Sequence, residues 1–304
     1  DIISDVREEL SRIEIISAQD EYTVPISTAV SEAYDWTDKA ARGEVVGIPT
    51  GFIDLDNILG SLINGNVYIL AGRPKKGKTA ALLSIARNVA KTNKRVGIFS
   101  LEMSRMQVAQ RLIAQEAEID LQGIIQGKLR DNEWAKYTNA VESVAAMPII
   151  INDLSSINIA QIRKTARTIK EAGGLDLLIV DYIQLAGGDG KKFERRDLEV
   201  SAVSRGLKYL ARELNVPILA AAQLSRAVEQ RASQRPILSD LRESGSLEQD
   251  AYAVMFIYDP EGDGKQNITG LDIAAHRNGP TGQIELVFRA PYAKFENAAT
   301  KARY

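Results

Sequence analysis

The sequence predicts an α/β domain, a mainly parallel sheet flanked by helices, with antiparallel strands at its edge and a helical segment ahead of it. Three observations carry this prediction. From Val67 onward, short β-branched-rich runs alternate with stretches of helical spacing. One strand-to-helix junction carries the run Gly72-Arg73-Pro74-Lys75-Lys76-Gly77-Lys78-Thr79, which fits the phosphate-loop pattern G-x-x-x-x-G-K-[ST]. The last third changes character, to strand-like runs joined by tight Gly- and Pro-containing connections.

Taken in order, residues 1–43 lack strand signals and read as two helical pieces, Val6 to Ile16 and about Ser27 to Ala41, split at Asp20 to Pro25. In the second piece Ala29, Ala33, Trp36 and Ala40 share a weakly apolar face, which would pack on its own domain or dock on another surface. Residues 1–44 are therefore expected to be a helical region, ahead of one main domain over 45–304. Val67 to Ala71 enters the phosphate loop as a buried strand, and Thr79 to Lys91 leaves it as a helix. Val96 to Ser100, Pro148 to Asn152, Leu175 to Tyr182 and Val216 to Gln223 follow as further strands of a parallel sheet. Between them, Asn158 can cap a helix whose Ile159, Ile162, Ala166 and Ile169 recur on one face, and Gly173-Gly174 ends it. Ala253 to Tyr258, Gly270 to Arg277 and Gln283 to Phe288 are expected as antiparallel additions at the sheet edge.

At 304 residues and 45% hydrophobic, the chain can bury one large α/β core plus a small appendage. With no cysteine, disulfides, thiolate metal sites and a cysteine nucleophile are excluded. No apolar run approaches about 18 residues, so no membrane helix is expected, and the chain reads as soluble and cytoplasmic. It starts at Asp1 and carries no leader pattern, which reads as a piece of a longer protein. A formal charge of −2 argues against indiscriminate polyanion binding, so any nucleic-acid contact must come from a local constellation.

The phosphate loop implies a bound nucleoside triphosphate. Its backbone N–H groups from Gly72 through Ala80, Pro74 having none, and the helix N-terminus point at phosphate oxygens, Lys78 supplies a point charge, and Thr79 offers its hydroxyl to Mg²⁺. Ligands of open α/β sheets bind at the carboxyl ends of the strands, so the polar residues there are the next candidates. Asp181, after Leu177-Leu178-Ile179-Val180, is placed to hold Mg²⁺ through its water shell, or else to cap a turn. Glu102, after Ile98-Phe99-Ser100-Leu101, is the candidate general base; the plain alternative is that it caps the helix at Ser104 or pairs with Arg105. Gln223 is an amide that can donate to a phosphate and accept from a water, which suits a γ-phosphate sensor. In Leu224 to Gly245, Arg226, Arg231, Arg235 and Arg242 face only Glu229, Asp240 and Glu243. A solvated loop is one reading; a segment hanging from the sensor strand, with a Ser244-Gly245-Ser246 turn offering N–H groups to a phosphate backbone, is the other. Ser246 and Gln249 also fit a capping box. His276 is the only histidine, which makes zinc binding implausible, and Arg277 is either a surface ion-pair partner or a cation that reaches a neighbouring subunit's γ-phosphate.

Beyond the phosphate loop, the chain carries Phe99-Ser100-Leu101-Glu102-Met103, Ile179-Val180-Asp181-Tyr182-Ile183-Gln184-Leu185, Ala222-Gln223-Leu224-Ser225-Arg226, the block Ser239 to Ala251 and Arg277-Asn278-Gly279-Pro280. In this order, over about Val45 to Phe295, the motifs resemble the C-terminal motor domain of the DnaB-type replicative DNA helicases, members of the RecA-like ATPases. The resemblance implies a RecA-like fold and a homo-hexameric ring that encircles single-stranded DNA. It implies ATP and Mg²⁺ as the nucleotide and ion, hydrolysis between subunits, 5′ to 3′ translocation, and primase and a helicase loader as further partners. On the same basis Lys78 and Thr79 bind phosphate and Mg²⁺, Asp181 holds Mg²⁺, Glu102 is the base, Gln223 senses the γ-phosphate and Arg277 is the finger in trans. Arg226, Arg242, Glu243 and Gly245 match the DNA-backbone contacts. Two departures stand out: Ala275 replaces the lysine usual two residues before the finger, and Lys75-Lys76 stand where small or apolar residues are usual, either adding charge toward phosphate or facing solvent. A strand-exchange protein and an ATP-dependent loader or signalling ring are the competing readings, and the Leu241 to Ala251 block separates the first of them, because recombinases do not share it.

Overall fold

The computed structural model describes residues 23–44, 46–186, 196–231, 235–260 and 267–298, with backbone alone at 196 and 242–245. The expected helix Val6 to Ile16 lies outside the described residues. The chain divides into two units, Asp1–Val46 and Gly47–Tyr304. In the first, a helix runs from Ile26 to Ala41. Ile26, Val30 and Tyr34 recur at four-residue steps in it and widen the expected face of Ala29, Ala33, Trp36 and Ala40.

The second unit is built on a nine-stranded sheet. Its strands are β1 (Val67–Gly72), β2 (Val96–Ser100), β3 (Ile149–Asn152), β4 (Leu177–Asp181), β5 (Ile218–Gln223), β6 (Ala253–Tyr258), β7 (Ile268–His276), β8 (Gly282–Arg289) and β9 (Lys294–Asn297), in the order β3-β2-β4-β5-β1-β6-β7-β8-β9. The first six pair parallel and the last three antiparallel. Every residue of β1, β2 and β4 is buried, because helices cover both faces, and this is why those strands read as unbroken apolar runs. Tyr68 and Leu70 of β1 join the core formed with helices Ile53–Leu59, Lys78–Lys91 and Arg105–Ala117, while Val67, Ile69 and Ala71 join the one formed with Ile159–Gly173 and Arg196–Leu214. In β8 only Ile284 and Leu286 are buried, between exposed Gln283 and Glu285, as expected of a strand covered on one face.

One expectation is corrected. β6 is not an antiparallel edge strand; it lies parallel to β1, with Tyr68 opposite Ala253 and Ala71 opposite Phe256. Two 3-10 helices, Arg226–Gln230 and Leu238–Ser244, and the short helix Gly245–Asp250 carry the chain from the end of β5 back to the opposite edge of the sheet, the crossover that parallel pairing requires. β9, only four residues long, was not anticipated. The helix over Ile159–Gly173 starts as expected: the Asn158 side chain accepts from the Gln161 N–H, and the Gln161 side chain accepts from the Asn158 N–H. Among the described residues no helix is long and apolar enough to cross a membrane.

Candidate functional site

β1 delivers the phosphate loop to the carboxyl edge of the sheet. A side chain on Gly72 would meet Ile257 at 2.5 Å, so only glycine fits there. At the far end of the loop Gly77 has φ +87°, open to glycine at little strain, and starts the helix Lys78–Lys91. The loop N–H groups and the helix N-terminus thus converge on one space. Lys78 folds over this loop, its Nζ donating to the carbonyl oxygens of Gly72 at 2.7 Å and Arg73 at 3.2 Å. Burial pushes the Lys78 amine below its usual range, against the opposing pull of the Asp181 and Glu102 charges.

The neighbouring strand ends bring the other candidates to the same edge. Gly72 pairs with Gln223, and Ser100, two residues before Glu102, pairs with Asp181. Asp181 is buried, at 5% exposure, and its Oδ2 accepts the Thr79 hydroxyl at 2.7 Å. Burial raises the Asp181 carboxyl pKa, the Thr79 hydrogen bond opposes this, and the Glu102 charge adds to the rise. A hydroxyl and a carboxylate in contact, beside a loop shaped for phosphate, suit a hard cation that takes its remaining oxygens from phosphate and water. The residues present therefore fit Mg²⁺. The peptide joining Asp181 to Tyr182 is cis.

Glu102 lines the same cavity, of about 710 Å³, together with Lys75, Lys78, Thr79, Gln107, Arg111, Tyr182, Gln223, Phe288 and Ala293. The helix after it is capped by other residues: the Ser104 hydroxyl accepts from the Gln107 N–H, and the Gln107 side chain accepts from the Ser104 N–H. The Arg105 N–H donates to Asp153 at 2.8 Å. Glu102 makes no hydrogen bond or ion pair among the described residues, so the capping and Arg105-pairing alternatives have no geometry behind them. The Gln223 backbone is clamped by Gln184, whose amide donates to its carbonyl and accepts from its N–H, both at 3.2 Å. Its side chain is left exposed at the cavity.

The two loop lysines divide. Lys75 lines the cavity, whereas Lys76 pairs with Asp259 at the end of β6. Arg73 turns to the segment after β5, with its side chain 12% exposed and paired to Glu229.

Arg226 is exposed on the 3-10 helix that starts there. The side chains of Arg242 and Glu243 lie outside the described residues, as does the surface at Gly245; their backbone forms the end of the Leu238–Ser244 turn and the start of the Gly245–Asp250 helix. Two expectations fail here. Ser244-Gly245-Ser246 is helical and not an open turn, and Ser246 sits inside the helix, its hydroxyl donating to that of Ser201 at 2.9 Å, so it is no cap.

Arg277 stands apart. β7 runs antiparallel to β6, and His276 lies opposite Ala253, which itself lies opposite Tyr68 at the start of β1. From Tyr68 to Gly72 the strand covers about 13 Å, so Arg277 is on the edge of the sheet facing away from its own phosphate loop. It is exposed, its N–H donating to the Tyr252 carbonyl and its guanidinium to the Gln249 carbonyl, both at 2.8 Å. Ala275 is half-buried against the core, opposite Val254, next to a bulge at Ala274. His276 packs edge-on against Tyr252, 5.3 Å between ring centres.

Sequence reasoning missed three contributors. Arg111 lies one helical turn beyond Gln107 on the cavity side, a spacing that could have flagged it. Gln184 had no signal beyond its place in a motif. Phe288, stacked on Phe295 at 4.5 Å, forms a wall of the cavity from the antiparallel part of the sheet. A larger cleft of about 790 Å³ lies between helices Ile159–Gly173 and Arg196–Leu214, lined by Arg163, Lys164, Arg167 and Glu171, and holds none of the expected site residues.

The chain matches the family described as the DnaB-like helicase C terminal domain over residues 47–297. It is 47% identical over 260 residues to the replicative DNA helicase DnaB of Geobacillus stearothermophilus, a match covering 84% of this chain and 57% of that protein. To the replicative DNA helicase DnaC of Bacillus subtilis (strain 168) it is 45% identical over 262 residues, covering 84% and 58%. The chain thus spans less than two thirds of the length of these relatives. Among solved structures it is similar to one described as an ATPase domain, with TM-score 0.86 and 35% identity, covering 91% of this chain and all of that one. It is similar also to a DnaB-like replicative helicase described with its interactions with primase, with TM-score 0.82 and 34% identity, covering 97% of this chain and 72% of that one.

Proposed function

The chain belongs to the DnaB-like helicase C-terminal domain family, and from that premise we propose that it is the ATP-driven motor of a replicative DNA helicase. It works as a ring hexamer around single-stranded DNA, moving 5′ to 3′ and unwinding duplex, in the cytoplasm. Residues 1–44 serve as a linker whose helix docks on the adjacent subunit, and 45–304 as the motor domain. Primase, named with one of the similar helicases, and a loader are its partners.

The observation that carries this reading is the split of one catalytic set between the two edges of the sheet. Phosphate-facing groups, Glu102 and Gln223 line one cavity, with Asp181 bonded to Thr79 at its wall, while Arg277 sits on the other edge of the sheet, away from its own phosphate loop. In that arrangement the loop N–H groups and Lys78 hold the phosphates in line for attack. Glu102 accepts a proton from the attacking water, Gln223 orients that water or the γ-phosphate, and Arg277 of one subunit neutralises charge developing in the next. Thr79 and Asp181 would hold Mg²⁺, which when bound neutralises phosphate charge. Arg226, Arg242, Glu243 and Gly245 line the path of the DNA backbone.

Mixed rings test the reading. Subunits carrying Arg277→Ala and subunits carrying Lys78→Ala, each inactive alone, should regain turnover when mixed, because a site between the two can join an intact loop to an intact arginine. No recovery on mixing would assign the arginine to its own subunit and break the ring mechanism. A forked duplex with a 5′ tail, but not one with a 3′ tail, should be unwound with ATP.

A further inference from the structure

The Arg73 guanidinium ties the start of the phosphate loop to the segment that leaves β5. Its Nε and Nη2 donate to Glu229 Oε1 at 2.9 and 2.7 Å, and its Nη1 donates to the Leu224 carbonyl at 2.8 Å. These partners are more than 150 residues away in sequence, as the separations of 156 and 151 show, so the contact is a product of the fold and not of a local turn.

From Glu229 the contacts continue. Glu229 belongs to the 3-10 helix Arg226–Gln230, and the residue after that helix, Arg231, pairs with Asp240. Asp240 is 4% exposed and also accepts the Ile237 N–H at 2.7 Å, while its carbonyl accepts the Ser225 N–H at 3.0 Å. It lies in the turn Leu238–Ser244 that carries Arg242. At the other end, the carbonyl of Arg73 is itself held by Lys78 Nζ. A lysine that turns to phosphate must let go of that carbonyl, so the backbone at Arg73 has one set of partners with the lysine folded over the loop and another with it extended.

We infer that Glu229 is a positioning residue which, through Arg73, makes the hold of the 224–244 segment on DNA depend on the nucleotide in the phosphate loop. Glu229 touches no reacting atom; it acts by where it holds the segment. The inference rests on the reading of that segment as a DNA contact, and its test separates the two.

The affinity of the full chain for a labelled oligothymidylate is measured with a non-hydrolysable ATP analogue and with ADP, both saturating, and the ratio of the two is compared between variants. Glu229→Gln should bring that ratio toward unity, a loss of about fivefold or more, with DNA-free ATP turnover unchanged. A brace with only a structural role would weaken binding equally with either nucleotide, and an unchanged ratio would overturn the inference. Glu229→Arg should lose the ratio too, and the exchanged pair Arg73→Glu with Glu229→Arg should regain it; failure of the exchange to rescue counts against the pair. Hydrogen exchange of the Ala227–Arg231 amides supplies an arm that needs no DNA. Those amides should respond to the ATP analogue in the wild type and not in Glu229→Gln, and a response preserved in the variant would sink the proposal. Should Arg242→Ala and Arg226→Ala both leave DNA affinity untouched, the DNA reading has failed, and the exchange arm still decides the coupling.

Discussion

The phosphate loop and the segment that leaves β5 are neighbours in space and are built on opposite principles. The loop is shaped by its backbone: glycines at 72 and 77 meet local demands that no side chain can satisfy, and the partners of Lys78 are carbonyls five and six residues away. The segment from Leu224 to Asp250 is held by side chains reaching far along the chain: Glu229 to Arg73, Asp250 to Ser204 and Lys208, Arg235 to Asp272. A site of the first kind tolerates loss of a functional side chain without losing shape. A site of the second kind loses both together.

Lys78→Ala is the largest expected effect and the sharpest test of the first half of that contrast. Removing the point charge from the phosphates should lower turnover by about a thousandfold or more, while the melting temperature stays close to wild type, since the ammonium bonds only backbone carbonyls and fills no core position. Turnover near the wild-type rate would remove the loop from catalysis. Glu102→Gln comes next: ATP binding should persist and hydrolysis should fall by about a hundredfold or more, because an amide cannot take the proton. Weakened ATP binding with normal turnover would give Glu102 a structural role.

The same contrast explains what was legible in the sequence. β1, β2 and β4 could be read because burial on both faces leaves apolar runs broken only at their carboxyl ends, and the Asn158–Gln161 capping box because its partners are three residues apart. Lys78, Thr79, Asp181, Glu102 and Gln223 could be placed near one another because parallel strands end at one edge. The direction of β6 could not, since it depends on where the 224–250 segment returns, and that path is set by distant ion pairs and hydrogen bonds. Ser246 failed as a cap for the same reason: contacts from Ser201, Ser204 and Lys208 bind this stretch as continuous helix where local pattern suggested a turn. Gln184 left no signal beyond its motif because its role exists only once β4 and β5 lie side by side, whereas Arg111 left only its helical spacing from Gln107.

Asp240→Ala probes the second half. It removes the acceptor of Arg231 and of the Ile237 N–H in a buried position, so the segment should open locally at a cost of about 2 kcal/mol. Hydrogen exchange at Ser225, Ile237 and Asp240 should quicken by about thirtyfold, with the β1 and β4 amides unaffected. An equal loss of protection in the strands would mean that the segment and the sheet unfold as one unit, and the contrast between the two regions would be gone.

Arg242→Ala carries the smallest effect and separates shape from contact within the segment. If Arg242 meets a DNA phosphate, its loss should release about one fewer counterion, so the slope of log affinity against log salt should fall by about one unit and do so alike for every base sequence. Basal hydrolysis should persist, because none of the cavity-lining residues is changed. Asp240→Ala should also weaken DNA binding, but by disordering the segment, so its loss should be regained in part when ATP analogue and DNA are added together, whereas the loss in Arg242→Ala should not. An unchanged slope in Arg242→Ala would return this arginine to a solvated surface and leave Arg226, exposed two residues after the Leu224 carbonyl that Arg73 holds, as the cation to test in its place.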